Sequence, residues 1–451
     1  MSEYTTVRLW GRMIGAVSLE EGARAAVFQY DPEFARSGIQ VSPLTMPLRP
    51  EPYSFPEMSL DSWRAFKGLP GLLADSLPDK YGNALIDTWL ASRGRRPESA
   101  DAIERLCYIG KRGMGALEYQ PAKGPQASAA EEIQIGALVE LASEILAHRE
   151  DFIASLREGN EEKGMREILS IGTSAGGARA KAVIAWNRDT KEVRSGQVEA
   201  PPGFEHWLLK FDGVENNKDK EELGDPQGYG AIEFAYAQMA ATAGIDMPPT
   251  DLLPENGRRH FMVRRFDRPT RKTKLHMQSL GALLHYDLNQ AGAHSYEQAM
   301  MAIRRLGMGM PEIEQQFRRM TFNVVARNQD DHVKNIAFLM DRGGEWSLSP
   351  AFDVTYAYRP GGTWTDQHQM SLNGKRDGFA REDFVSCAEA VSMKRGRALE
   401  ILAEVGAAVA NWRELANSAG VPEERAEQIA AEHRLDLPSQ PAGGQATTNH
   451  G

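Results

Sequence analysis

Residues 327–335 read Arg327-Asn328-Gln329-Asp330-Asp331-His332-Val333-Lys334-Asn335, nine residues dense in acids, amides and cations. Apolar runs bound them on both sides, Phe322 to Ala326 before and Ile336 to Met340 after. Polarity concentrated between two core-forming runs marks a loop held by buried elements, where binding and chemical groups tend to sit. His332 has no second histidine at helical spacing, so it reads as a residue that orients the loop by hydrogen bonds, not as a metal ligand. A plain charged hairpin is the competing reading.

Asp330 and Asn335 stand in the D-x-x-x-x-N spacing of kinase catalytic loops, where the Asp meets the nucleophile's proton and the Asn carbonyl oxygen holds Mg²⁺. That spacing selects Asp330 over Asp331 as the base. A hairpin from Asn335 to Ser349 would return the chain to Asp353, in Phe352-Asp353-Val354, where kinases place another Mg²⁺ ligand. Upstream, Gly172-Thr173-Ser174-Ala175-Gly176-Gly177-Ala178 forms a turn whose backbone could lie against phosphates. It also spells GxSxG, but a nucleophile elbow needs a strand-to-helix turn, and the alternating Lys181 to Trp186 that follows reads as a strand. Lys210 closes the apolar His206-Trp207-Leu208-Leu209, in position to meet a phosphate, and Glu233 could orient it. A lysine snorkelling from a strand edge is the alternative for Lys210.

Around these residues the chain divides into a β-rich part and a helical one. Thr6 to Trp10, Met13 to Val17 and Ala25 to Tyr30 alternate as strands of an N-terminal subdomain spanning residues 1–120, in which Leu85 to Arg93 reads as a helix. Pro121 to Ala130 reads as a linker. A core over 131–290 is expected to hold a helix from Ile133 to Arg149, then strands Ile168 to Thr173, Lys181 to Trp186, His206 to Phe211 and His260 to Phe266, with a helix Ala231 to Ala243. The lobe 291–437 reads helical at Tyr296 to Arg305, Pro311 to Asn323, Arg381 to Cys387, Lys394 to Asn417 and Pro422 to His433. Residues 438–451 read as a disordered tail. The fold class expected is α+β.

Composition narrows the partners. The 451 residues are 41% hydrophobic and 25% charged, which suits a globular chain, and the formal net charge of −10 disfavours strong binding of a nucleic-acid backbone by the chain alone. No run of about 18 apolar residues and no signal-like N-terminus is seen, so a cytoplasmic location without membrane attachment is expected. Cys107 and Cys387 lack any metal-ligand or paired spacing and read as core thiols.

Taken together, Gly68-Leu69-Pro70, Asp75-Ser76-Leu77-Pro78-Asp79, Ser174 to Lys181, Val263-Arg264-Arg265-Phe266-Asp267-Arg268 and the Asp330-to-Asn335 loop closely resemble the HipA family of bacterial toxin kinases. The resemblance spans most of the chain. It implies a fold distantly related to protein kinases, with a β-rich N-terminal subdomain, an ATP-binding core and an all-helical C-terminal subdomain. It implies serine/threonine kinase activity with ATP and Mg²⁺, Asp330 as catalytic aspartate, Asn335 and Asp353 as Mg²⁺ ligands, and Lys210 as the ATP-contacting lysine. Gly176, Gly177, Ala178, Arg265, Phe266, His332 and Lys334 would complete the nucleotide site, adenine resting against a hinge at Met262 to Phe266. Ser174 matches a serine whose autophosphorylation expels the Gly-rich loop; about −1.5 to −2 added charge beside ATP phosphates would disfavour the bound loop. The implied partners are a small DNA-binding antitoxin (HipB-like), through which alone DNA is contacted, and a protein substrate such as an aminoacyl-tRNA synthetase. Arg179 and Ala180 depart from the Gln and Glu of some members. A regulatory binding protein with weak catalysis and a small-molecule kinase are the alternatives.

Overall fold

The computed structural model describes residues 4–124, 132–147, 152–153, 156, 162–172, 179–197, 199–214 and 228–439. The chain separates into two compact units, the first comprising 1–231, 248–287 and 337–349, the second 232–247, 288–336 and 350–451.

In the first unit, β1 (Tyr4–Leu9), β2 (Arg12–Ser18), β3 (Val27–Tyr30) and β4 (Leu117–Gln120) form an antiparallel sheet in the order β3-β2-β1-β4. Alternation along β1 buries Thr5, Val7 and Leu9, as a half-covered strand requires. Helices Leu60–Phe66 and Ala102–Ile109 share its core, and both are started by a short polar side chain: Ser59 accepts from the Ser62 N–H and Asp101 from the Glu104 N–H. Gly68 sits at φ +75°, where a Cβ would lie 2.7 Å from the Arg24 carbonyl oxygen, so this turn admits only glycine.

A second sheet runs β6-β5-β7-β9-β8, from β5 (Lys181–Trp186), β6 (Val193–Ser195), β7 (Glu205–Lys210), β8 (Thr250–Glu255) and β9 (Arg258–Arg264), antiparallel throughout. Every residue of β5 is buried, and helices Lys80–Ser92, Ile135–Ala147 and Glu162–Gly172 share its core. A third sheet joins β10 (His276–Ser279) to the hairpin β11 (Ala337–Met340) and β12 (Trp346–Leu348). All twelve strands among the described residues therefore fall in the first unit. The second unit is built from helices, including Tyr296–Arg305, Met310–Val325, Arg381–Ala390, Arg395–Ala410, Trp412–Ala419 and Glu423–Glu432. The chain is α+β, with a helical C-terminal region.

Two expectations are corrected. Ile168 to Thr173 is not a strand: Glu162–Gly172 is a helix, and its buried Met165, Ile168, Leu169 and Gly172 follow helical spacing, with Thr173 outside the described residues. Lys394 to Asn417 is two helices, divided at Asn411.

Within the first unit, the quoted motifs meet as buried clamps. Asp75 accepts from the Ser279 N–H at 2.6 Å and pairs with the Ser279 hydroxyl at 2.8 Å. Asp79 caps Lys80–Ser92 and also pairs at 2.8 Å with Lys181, whose side chain is 2% exposed. Asp267, fully buried, holds Arg265 and Arg268 and accepts from the Gly115 N–H at 2.7 Å. Burial alone would raise the pKa of Asp267; the two guanidinium groups reverse this and hold it well below the usual carboxylate range. Asp79→Ala removes the carboxylate that pairs with the buried Lys181 ammonium and is expected to cost about 3–5 kcal/mol of folding stability. Chemical denaturation checks this, and an unchanged midpoint would contradict it.

Candidate active site

The 327–335 loop follows helix Met310–Val325 in the second unit, and Arg327 at its start and Asp353 past the following hairpin carry unusual backbone. Arg327 has φ 58° and Asp353 has φ 52°, left-handed values that non-glycine residues adopt rarely and that collect at functional sites. Arg327 donates to the Glu432 carbonyl at 2.8 Å and to Gln329 at 3.1 Å, while the Gln329 N–H donates to the Ala357 carbonyl. Asn328 leans back on Asn323 through both main chain and side chain. The loop thus enters its polar stretch already fixed.

The adjacent aspartates have opposite environments. Asp331 is 3% exposed; its carboxylate accepts from the Tyr296 hydroxyl at 2.5 Å, the His368 Nδ1 at 2.7 Å and the Gln369 N–H at 2.7 Å. Arg434 lies 3.0 Å from the other nitrogen of His368, so both ring nitrogens are engaged. Burial pushes the Asp331 carboxyl upward, but His368, Tyr296 and the Gln369 amide together bring its pKa below the ordinary value. Asp331 is a structural hub.

Asp330 keeps a side chain 44% exposed. Trp364 donates to its Oδ1 at 2.6 Å, His332 Nε2 lies 3.8 Å from the same oxygen, and Asn335 donates from its amide to the Asp330 carbonyl at 2.8 Å. Anchoring Nδ2 fixes the Asn335 side chain, while its Oδ1 accepts no hydrogen bond among the described residues. A half-open carboxylate and an oriented amide oxygen are hard oxygen donors of the kind Mg²⁺ takes, a cation that keeps several waters and needs few protein ligands. Among the described residues no group of three or more His, Cys, Asp or Glu could hold a metal.

In the first unit, Lys210 ends β7, buried, with Nζ 5.7 Å from the centre of the Phe261 ring. The strand register sets it opposite Lys181 on β5 and Phe261 on β9. Glu233, 2% exposed, lies on helix Tyr229–Thr242 in the second unit. Phe266 follows the end of β9, and Lys334 is half-buried in the loop. The Arg265 side chain is bound to Asp267 and the Gly113 carbonyl, and its N–H donates to the His206 carbonyl at 2.9 Å. Ser174, Gly176, Gly177 and Ala178 lie outside the described residues. Sequence reasoning missed Trp364, His368 and Arg434, none of which sits in a recognisable motif; only the density of polar residues at 364–377 hints at them.

These features define a two-unit α+β protein with an acid-and-amide loop of kinase-like spacing in its helical unit. The chain belongs to the HipA family: the HipA N-terminal domain matches residues 5–120 and the HipA-like C-terminal domain residues 173–440. Its fold is shared with HipA of Shewanella oneidensis MR-1, solved in a toxin–antitoxin complex with HipB and operator DNA, at 16% identity and a TM-score of 0.64, covering 96% of each chain. A fainter likeness, at 12% identity and a TM-score of 0.34, is to the Helicobacter pylori proinflammatory kinase CtkA, over 58% of this chain and 91% of that one. No curated protein matches the chain. No helix among the described residues is long and apolar enough to cross a membrane.

Asp331→Asn replaces an acceptor of three donors by an amide with one acceptor oxygen, and is expected to cost about 2–4 kcal/mol. Since the folded pKa of Asp331 is depressed, this loss is fully present above the unfolded carboxylate value of about 3.9 and fades as pH falls through the folded value. Denaturant titrations of both proteins between pH 7 and pH 3 check it; a difference that grows toward acid would contradict the assignment.

Proposed function

We propose that the chain is an ATP- and Mg²⁺-dependent protein serine/threonine kinase of HipA type. The observation that carries this is the split between neighbouring aspartates: Asp331 is consumed by structure, whereas Asp330 stays half-open on a loop fixed at both ends and shared with Asn335. Mg·ATP, when bound, supplies the transferable phosphoryl group. Asp330 would accept or orient the proton of the incoming hydroxyl, with Trp364 and His332 holding its carboxylate in place. Asn335 and Asp353 would hold Mg²⁺. Lys210 would meet the α- and β-phosphates, and the 172–178 loop would cover them. The backbone at Arg265 and Phe266 would border adenine, and His332 and Lys334 would complete the nucleotide site.

Autophosphorylation of Ser174 would switch the enzyme off by charge repulsion beside the nucleotide. The protein substrate is expected to be a translation component such as an aminoacyl-tRNA synthetase. The fold relative was solved with HipB and operator DNA, which supports a HipB-like antitoxin as partner here, with DNA reached only through it. An acidic chain of net charge −10 suits that arrangement.

The test is intact mass and peptide mapping after incubation with Mg·ATP. One phosphate on Ser174, absent from Asp330→Ala and Ser174→Ala, is the expected result. Absence of both phosphate and ATP binding would overturn the reading in favour of a binding protein.

A further inference from the structure

A chain with ten more negative than positive charges nevertheless gathers cations around one cleft of the first unit. The cleft encloses about 1030 Å³ and lies beside β1, β4, β7 and the segment after β9. That volume matches the upper range of small-molecule sites, roughly 300–1,000 Å³. Seven lysine and arginine side chains line it, against a single lining carboxylate, Glu199. Two more carboxylates serve these cations from nearby: Asp267, which Arg265 and Arg268 share, and Glu118, 3.0 Å from Lys274. The balance is strongly positive.

The rim and the wall are differently equipped. Lys111 is exposed and its ammonium has no partner among the described residues, and Arg271, also exposed, spends one nitrogen on the Ala200 carbonyl at 3.2 Å. His206, by contrast, is 6% exposed; its Nε2 lies 3.4 Å from the Arg271 carbonyl oxygen, and its Nδ1 has no partner among the described residues. Burial, reinforced by Arg265 and Arg268, pushes the His206 pKa down to about 4, so the ring is neutral and presents Nδ1 as an acceptor. The Gln197 amide nitrogen is likewise buried without a partner. A buried acceptor among cations calls for a ligand that brings a hydroxyl or N–H as well as negative charge.

We propose that this cleft binds a small organic polyphosphate, its phosphates held by the rim cations and a hydroxyl or amine received by His206. The spread of cations over several segments favours several linked phosphates over one carboxylate, and the concave shape favours a free metabolite. This site uses neither Asp330 nor Lys210, and of the residues assigned to the nucleotide it shares only Arg265, through its side chain.

Isothermal titration with inorganic tripolyphosphate, in the absence of Mg²⁺, tests the anionic half of the site. The expected result is binding to the full chain that weakens about tenfold or more in the double variant Lys111→Glu, Arg271→Glu and is kept in Lys210→Met. Both rim positions are exposed, so the double variant should melt like the parent. Equal affinity in the double variant would overturn the proposal. So would loss in Lys210→Met alone, which places the anion at the proposed ATP lysine, or orthophosphate binding as tightly as tripolyphosphate, which shows only diffuse attraction.

Discussion

A carboxylate withdrawn from water must be met by donors, and each unit of this chain is organised around carboxylates in that position. Asp267 ties the segment after β9 to Gly115, 152 residues earlier in the chain, and Asp79 links the start of helix Lys80–Ser92 to β5. Asp212 receives the Gly228, Gly230 and Arg259 amides. In the helical unit Asp331 does the same for Tyr296, His368 and Gln369. Removing one partner from such a group costs far more than the bond itself returns, so these contacts set geometry more than they add stability.

That constraint explains the division of labour at 330–331. Two acids side by side cannot both be buried cheaply, and here one is fully satisfied while its neighbour faces outward on a backbone that the first holds still. His368 extends the network to Arg434, which also donates to the Val324 carbonyl and pairs with Asp377. The C-terminal segment therefore braces the loop from behind, and the site depends on residues about a hundred positions away in sequence.

Much of this was legible in the sequence. Strands with clean alternation or uniform burial, β1, β2, β5 and β7, lie within two residues of their expected bounds, and Tyr296–Arg305 matches at both ends. The helix Glu162–Gly172 was misread because its apolar residues crowd into the last five positions, where a β-branched run looks extended; the period emerges only when Met165 is included. β4 and β8 are short or half-polar and gave no alternation to read. The spacing that favoured Asp330 over Asp331 was visible, but the reason for it, the Tyr296 and His368 partners, arises from tertiary contacts no local pattern encodes. Equally, the pairing of Arg265 with Asp267 and Gly113 is a property of the fold that no local pattern encodes.

The central claim is that Asp330 acts on the reacting hydroxyl and leaves nucleotide binding to other groups. It is tested most directly by measuring Mg·ATP affinity and phosphate incorporation in Asp330→Asn beside the parent protein. The account predicts affinity within a few-fold of the parent and incorporation lowered by about 10²–10⁴. Undiminished incorporation in Asp330→Asn would contradict it.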